Sequence, residues 1–284
     1  MGSVLTLLGN NRRVRRRGRR WLLLLAVTAV VVAGAAIGIN ALLSSVAPVA
    51  PSCTLGTGAN ALQIEPEQAA DAATIAAVAK RRGLPDHAVT IALSAGLQES
   101  KLFNVDYGDR DSLGLFQQRP SQGWGSPAQL LDPAYAADAF YSHLEQVSGW
   151  QSLPVATAAQ RVQHSADGSA YEQWEEQARA LARALTGELP AALSCHWTDQ
   201  RAPLATALRA AADRQLGADW TGGGVSASRD WTVAEWLVAH SYQYGVAAVS
   251  VRGHRWTARS GRWAADGRAG AAPTYLLTKP ETTS

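Results

Sequence analysis

An uninterrupted apolar segment near the N-terminus constrains this chain more than any other feature of its sequence. The nineteen residues from Trp21 to Ile39 include no charged side chain. A helix of that length rises roughly 30 Å, which matches the hydrocarbon core of a bilayer. Seven arginines between Arg12 and Arg20 precede the segment, and such flanks stay cytoplasmic. The sequence therefore predicts a transmembrane anchor over 21–43, with the rest of the chain outside. A cleaved signal peptide is the alternative, although its apolar region is normally shorter.

The distribution of charge argues against a nucleic-acid partner. The chain has 26 Lys and Arg residues against 23 Asp and Glu residues, a formal net charge of +3. Without the seven N-terminal arginines the remaining chain carries −4. A protein that binds DNA or RNA usually shows a sustained basic patch, and none follows the arginine cluster. We therefore expect no nucleic-acid partner, and the hydrophobic content of 47% excludes a disordered chain.

The chain has two cysteines, Cys53 and Cys195, and both lie beyond the predicted anchor. An even count in an oxidising compartment favours one disulfide, which would join the two ends of the central region. Two unpaired buried thiols are the alternative. The six histidines are scattered and no motif with metal-ligand spacing accompanies the cysteines. We expect no metal and no cofactor.

Helical periodicity dominates the central region of the chain. The segment Pro66–Arg82 has acids early and bases late, as the helix dipole prefers. The next segment, from Pro85 to Ser100, is apolar almost all round, which is typical of a buried helix. Near the C-terminus, Val246–Val251 and His254–Thr257 predict a hairpin after a further helix. The predicted organisation is a basic cytoplasmic tail over 1–20, the anchor over 21–43, a linker over 44–63, a mainly α domain over 64–196, a helix and Gly-rich linker over 197–228, a small α+β module over 229–265 and a tail over 266–284.

Glu99 is the candidate for acid chemistry because of its position. It ends a largely apolar helix, where burial and the negative end of the helix dipole both disfavour an ionised carboxyl. A carboxyl that keeps its proton at neutral pH can act as a general acid. A solvated glutamate paired with Lys101 is the alternative on position alone.

The residues around Glu99 resemble a known family. Gln98-Glu99-Ser100, then Asn104, then the segment from Ser112 to Gln117, resemble the motif of the lysozyme-like superfamily, in particular the soluble lytic transglycosylase type. The resemblance covers roughly residues 64–190. It implies a lysozyme-like helical domain in which Glu99 is the catalytic acid and base. It also implies that Ser112, Gly114 and Gln117 contact the sugar.

Other residues depart from the family pattern or extend it. The usual Tyr-Asn signature is replaced by a segment that contains Gln163, which is a candidate for a similar part of the cleft. Trp124 follows the proposed cleft wall and is a candidate stacking platform for a sugar ring. Three aspartates after Glu99 are either solvated or position water, namely Asp106, Asp109 and Asp111.

These features predict an enzyme of the bacterial cell membrane that acts on peptidoglycan between N-acetylmuramic acid and N-acetylglucosamine. Because Glu99 is the one carboxylate whose sequence context argues for catalysis, a lytic transglycosylase is favoured over a hydrolytic muramidase, which needs a second carboxylate. A non-catalytic wall-binding or envelope-assembly protein with the same fold is the alternative from another class. The sequence does not identify protein partners.

Overall fold

The computed structural model describes residues 28–39, 50–58, 61–164, 169–222 and 226–279. The chain divides into two units, Met1–Val49 and Ala50–Ser284. In the first unit, residues 28–39 form a helix (α1) whose side chains are exposed. The predicted cytoplasmic tail and the remaining residues of the predicted anchor lie outside the described part. Among the helices that are described, none has both the length and the apolar character needed to cross a membrane.

The second unit is mainly α, with two small antiparallel sheets, which confirms the coarse fold class. Nine α-helices are described in it: α2 (Pro66–Arg81), α3 (Asp86–Ser100), α4 (Pro127–Leu130), α5 (Pro133–Leu144), α6 (Val155–Gln163), α7 (Glu175–Leu185), α8 (Ala205–Leu216), α9 (Ala227–Ala239) and α10 (Ser241–Tyr244). Short 3₁₀ turns occur at Pro120–Gln122, Trp150–Ser152 and Ser169–Trp174.

Helices α2 and α3 form the centre of the core. Residues 69–79 of α2 and 88–97 of α3 are buried without interruption, because each helix is covered by neighbours on several sides. Helix α2 packs against α5, α8 and α9, while α3 packs against α6 and α7. Gly96 permits the close approach of Leu102, since a Cβ added there would lie 2.9 Å from the Leu102 side chain. The last turn of α3, which carries Glu99, therefore emerges from a rigid support.

The first sheet joins the two ends of the helical region. Its strands are β1 (Ser52–Leu55), β2 (Leu62–Ile64) and β3 (Leu193–His196), in the order β2-β1-β3. Cys53 and Cys195 lie directly opposite each other in the β1-β3 pair and form a disulfide, which confirms the predicted bond. Strands β1 and β2 fall within the segment predicted as linker. The sequence around these strands gives little indication of them, because β1 depends on pairing with β3, about 140 residues away.

The second sheet contains the predicted hairpin. Strands β4 (Val246–Val251) and β5 (His254–Thr257) pair through a turn at Arg252 and Gly253, and both turn residues have positive φ, as two-residue hairpins of type I′ require. Two further strands, β6 (Arg262–Ala265) and β7 (Thr274–Leu277), complete the order β6-β5-β4-β7. Strand β7 lies in the segment predicted as a tail, and its partner is β4. Helix α9 packs on both β4 and α2, so this sheet shares the core of the helical region.

Candidate functional site

Glu99 lies at the exit of α3 from the core. Its side chain is half-buried, and the helix ends just after it because Lys101 and Leu102 both adopt the left-handed conformation, with φ of 59° and 64°. The Leu102 N–H donates to the carbonyl of Gly96 and the Lys101 N–H to that of Leu97, which satisfies two carbonyls of the last turns of the helix. The Lys101 ammonium donates to the carbonyl of Leu97 at 3.1 Å. Lys101 therefore caps the helix end. The alternative interpretation required it to pair with Glu99 instead.

Tyr171 holds the Glu99 carboxyl in place. Its hydroxyl donates to Glu99 Oε1 at 2.7 Å. Tyr171 is only 1% exposed. Its backbone carbonyl accepts a hydrogen bond at 3.0 Å from the hydroxyl of Ser94, which lies about one and a half turns before Glu99 on α3. Since Tyr171 is attached to α3 at two points, the orientation of the carboxyl is set by buried groups. Nothing in the sequence spacing indicates this contact, which joins residues 72 positions apart.

The segment from Ser112 to Gln117, which we call the wall segment, lies beside the end of α3. The Ser100 hydroxyl donates to the Leu115 carbonyl at 2.8 Å. Gly114 has a φ of 75°, and a Cβ there would lie 2.3 Å from the Leu130 carbonyl oxygen. Only glycine fits this turn, which is the physical reason for Gly114 in the motif. Leu115 and Phe116 are fully buried and anchor the wall segment in the core.

The amide of Gln117 is used within its own loop. Its Nε2 donates to the carbonyls of Tyr107 and Gly114, at 3.3 and 3.2 Å. Ser112 is 7% exposed, and its backbone N–H donates to the carbonyl of Asp109. These contacts give both residues a part in shaping the loop. Their predicted contact with a sugar stays a prediction, as does that of Gly114.

Gln163 contacts the wall segment, and its predicted place in the cleft stays a prediction. It is the last residue of α6, and its Nε2 donates to the Phe116 carbonyl at 2.7 Å. Its Oε1 is buried and has no hydrogen-bond partner within the described residues. An acceptor of this kind next to the wall segment suits an N–H donor on a ligand.

A second cluster on the same helix end was not predicted. The indole N–H of Trp174 donates to Gln98 Oε1 at 2.8 Å, and the Lys101 ammonium lies 4.3 Å from the centre of the Trp174 ring. This arrangement places a half-buried aromatic ring and a cation close to Glu99 at the end of α3. The two residues are 76 positions apart, and no spacing rule connects Trp174 with Gln98.

The structure contradicts a role for Trp124 as an open stacking platform. Its ring is 7% exposed and stacks on His143 with the ring centres 3.9 Å apart. A sugar cannot lie on a ring that the protein already covers. The loop that carries Trp124 turns this tryptophan into the core.

The three aspartates of the long loop differ in their surroundings. Asp106 and Asp109 are exposed. Asp111 accepts from the Arg119 guanidinium at 2.8 Å and from the Ser121 N–H at 2.8 Å, one on each oxygen. The Arg119 contact, followed by the bond from Ser121, holds the pKa of the Asp111 carboxyl well below its usual range. Asp111 is therefore part of the loop framework and is unsuited to accept a proton from water.

Within the ranges that the structure describes, no group of three or more His, Cys, Asp or Glu side chains is arranged to hold a metal ion. The candidate site consists of the Glu99 carboxyl, the Tyr171 hydroxyl that donates to it, and the wall segment, which turns at Gly114. No protein-family model and no curated protein sequence matches this chain.

Proposed function

We propose that this protein is a membrane-anchored enzyme that cleaves the glycan strand of peptidoglycan, with a lysozyme-like helical domain on the outer side of the membrane. The observation that carries the proposal is the Glu99 carboxyl, which the Tyr171 hydroxyl holds at 2.7 Å beside the wall segment. Acid catalysis requires a carboxyl held in one orientation next to a surface on which the substrate lies. The resemblance of the motif supplies the substrate class.

The proposed reaction is that of a lytic transglycosylase. Glu99 gives its proton to the glycosidic oxygen as the bond from that oxygen to C1 of N-acetylmuramic acid breaks. The N-acetyl group of the same sugar stabilises the cation that results. The C6 hydroxyl then bonds to C1 and returns its proton to Glu99. No water is consumed, and the product ends in 1,6-anhydromuramic acid.

The surroundings of the nearby aspartates support a mechanism with one carboxylate. Hydrolysis by the usual routes requires a second carboxylate about 5 to 5.5 Å away as nucleophile, or about 6.5 to 9.5 Å away as base. Asp111 is committed to Arg119 and Ser121. Of the three aspartates, this leaves Asp106 and Asp109 for a muramidase, and both are exposed on the loop.

The test uses the purified full chain and purified peptidoglycan. Glu99→Gln keeps the size of the side chain but cannot supply a proton, so turnover falls by a factor on the order of 100 or more. Glu172→Gln is the matched control, because Glu172 is exposed and lies next to Tyr171 in the chain. Wild-type turnover in Glu99→Gln would refute the catalytic assignment.

The mass of the product separates the two reaction types. Transglycosylation leaves anhydro ends about 18 Da, one water, lighter than the reducing ends that hydrolysis leaves. Reducing ends that disappear in an Asp106→Asn or Asp109→Asn variant would instead establish a muramidase. Binding to peptidoglycan without any soluble product would favour the non-catalytic wall protein.

A further inference from the structure

A pocket of about 650 Å³ opens at the start of α2, and Glu99 does not line it. Its residues come from four parts of the fold: Pro51 before β1, the first turns of α2, the chain around Asn104 and Pro133, and the segments that carry Arg201 and Tyr242. Because these parts are distant in sequence, the pocket is a product of tertiary packing. Its lining combines three acidic residues, Glu65, Glu67 and Asp71, with several apolar ones.

One of the acidic residues that line the pocket is buried and has no counter-charge among the described residues. Asp71 is 7% exposed, and its Oδ2 has no hydrogen-bond partner in the part of the chain that the structure describes. Glu67 lies four residues earlier on the same face of α2. Burial, and then the charge of Glu67, raise the pKa of Asp71 well above its usual range. Leaving a buried carboxyl unpaired costs stability, so a ligand that donates hydrogen bonds and carries positive charge would relieve that cost.

Arg201 does not supply that charge. Its guanidinium lies 4.1 Å from the centre of the Tyr242 ring, and its Nε donates to the Tyr242 carbonyl at 3.1 Å. The acid with which it pairs is Asp199, at 3.9 Å. These contacts tie Arg201 to the rim of the pocket on the Tyr242 side.

The apolar residues that line the pocket suit a hydrocarbon chain. Three prolines line it, Pro51, Pro66 and Pro133, together with Tyr242 and Ala70. Such surfaces offer no ligands to a metal ion but pack well against methylene groups. A lining that combines carboxyl groups with apolar side chains offers contacts to both the ammonium group and the carbon chain of an alkylamine.

We propose that this pocket binds an alkylammonium group, with the ammonium against Asp71 and Glu67 and the carbon chain against the prolines and Tyr242. The amine belongs either to a free diamine or to the diamino acid of a cell-wall peptide. The proposal does not depend on catalysis by Glu99.

Calorimetric titration of the full chain tests the proposal with three probes: 1,5-diaminopentane, the tripeptide L-Ala-γ-D-Glu-L-Lys, and the same tripeptide acetylated on its ε-amine. At least one free amine should bind saturably, and the acetylated peptide should not bind. Binding of the diamine alone identifies a small-molecule site, whereas binding of the peptide identifies a wall-peptide site.

Asp71→Asn keeps the shape of the side chain but cannot ionise against a bound ammonium group, so affinity for the amine should fall tenfold or more. Asp219→Asn is the matched control, because the Asp219 side chain is 88% exposed and lies outside the pocket. The unliganded Asp71→Asn protein should melt at the same temperature as the wild type or higher, since an uncompensated buried acid is gone. If that variant does not fold, Glu67→Gln provides the same comparison.

Three results would overturn the proposal. The first is no saturable binding of either free amine at 10 mM, on the order of the weakest affinities that a specific site shows. The second is undiminished binding in Asp71→Asn or, if that protein does not fold, in Glu67→Gln. The third is binding of calcium chloride that depends on Asp71 when neither amine binds.

Discussion

Removal of the disulfide between Cys53 and Cys195 should destabilise the second unit by about 5 kcal/mol. The bond joins residues 142 positions apart. In the chain-entropy model, a closed loop of that length lowers the entropy of the unfolded chain by about 17 cal/mol/K, which corresponds to about 5 kcal/mol at 25 °C. Domains of this size are stable by roughly 5 to 15 kcal/mol. Reduction should therefore remove at least about a third of the folding free energy.

The assay is urea unfolding of the oxidised and the reduced wild-type protein, followed by tryptophan fluorescence. Reduction leaves both sulfur atoms in the core, so the comparison isolates the cross-link. The midpoint should fall and the dependence of the unfolding free energy on urea should steepen, because an open unfolded chain exposes more surface. The double variant Cys53→Ala/Cys195→Ala is the control and should be insensitive to the reductant. A difference below about 1 kcal/mol between the two wild-type forms would refute the reasoning, since it would mean that the unfolded chain is already constrained without the bond.

Two further predictions concern buried polar contacts. Tyr171→Phe removes the hydrogen bond to Glu99 at 2.7 Å, and peptidoglycan turnover should fall on the order of tenfold, since a bond to a carboxylate contributes about 1.5 kcal/mol or more. Tyr141→Phe, which loses a buried bond to the Ile75 carbonyl instead, should retain turnover, and equal losses in both variants would contradict a positioning role. Glu235 is fully buried and accepts from the Ala192 N–H at 2.9 Å, and burial raises its pKa well above the usual range. The folded protein holds this proton more tightly than the unfolded chain does. The contribution of Glu235 is thus present below about pH 4.3, the pKa of an unperturbed glutamate, and is lost as the pH rises through its folded pKa. Glu235→Gln should therefore gain stability over the wild type as the pH rises from 4 to 8, measured by urea unfolding. Burial lowers the pKa of His240 to about 4, which gives a slope of opposite sign in both proteins, so their difference isolates Glu235. A difference that does not change with pH would contradict this account.

The residues of the candidate site divide into those that local sequence identifies and those that it does not. Glu99 and Gly114 stand in a motif whose spacing is set by a helix end and a tight turn, so the local pattern is enough to select them. Trp124 shows the limit of such reasoning, because a glycine-rich context does not tell which way an aromatic ring turns. Tyr171 and Trp174 reach the end of α3 from more than 70 residues away, and only the packing of the chain brings them there.

Local sequence pattern is enough to predict the periodic and the covalent features of this protein. It predicted the buried helix that carries Glu99, the β4-β5 hairpin and the pairing of Cys53 with Cys195, because these depend on local pattern or on a count of two. The other features depend on how the chain packs. Strands β1 and β7 exist only beside partners that lie far along the chain, and the contacts of Glu99 and the unpaired carboxyl of Asp71 depend on which surfaces meet. Such choices follow from the packing of the whole core, which no window of sequence contains.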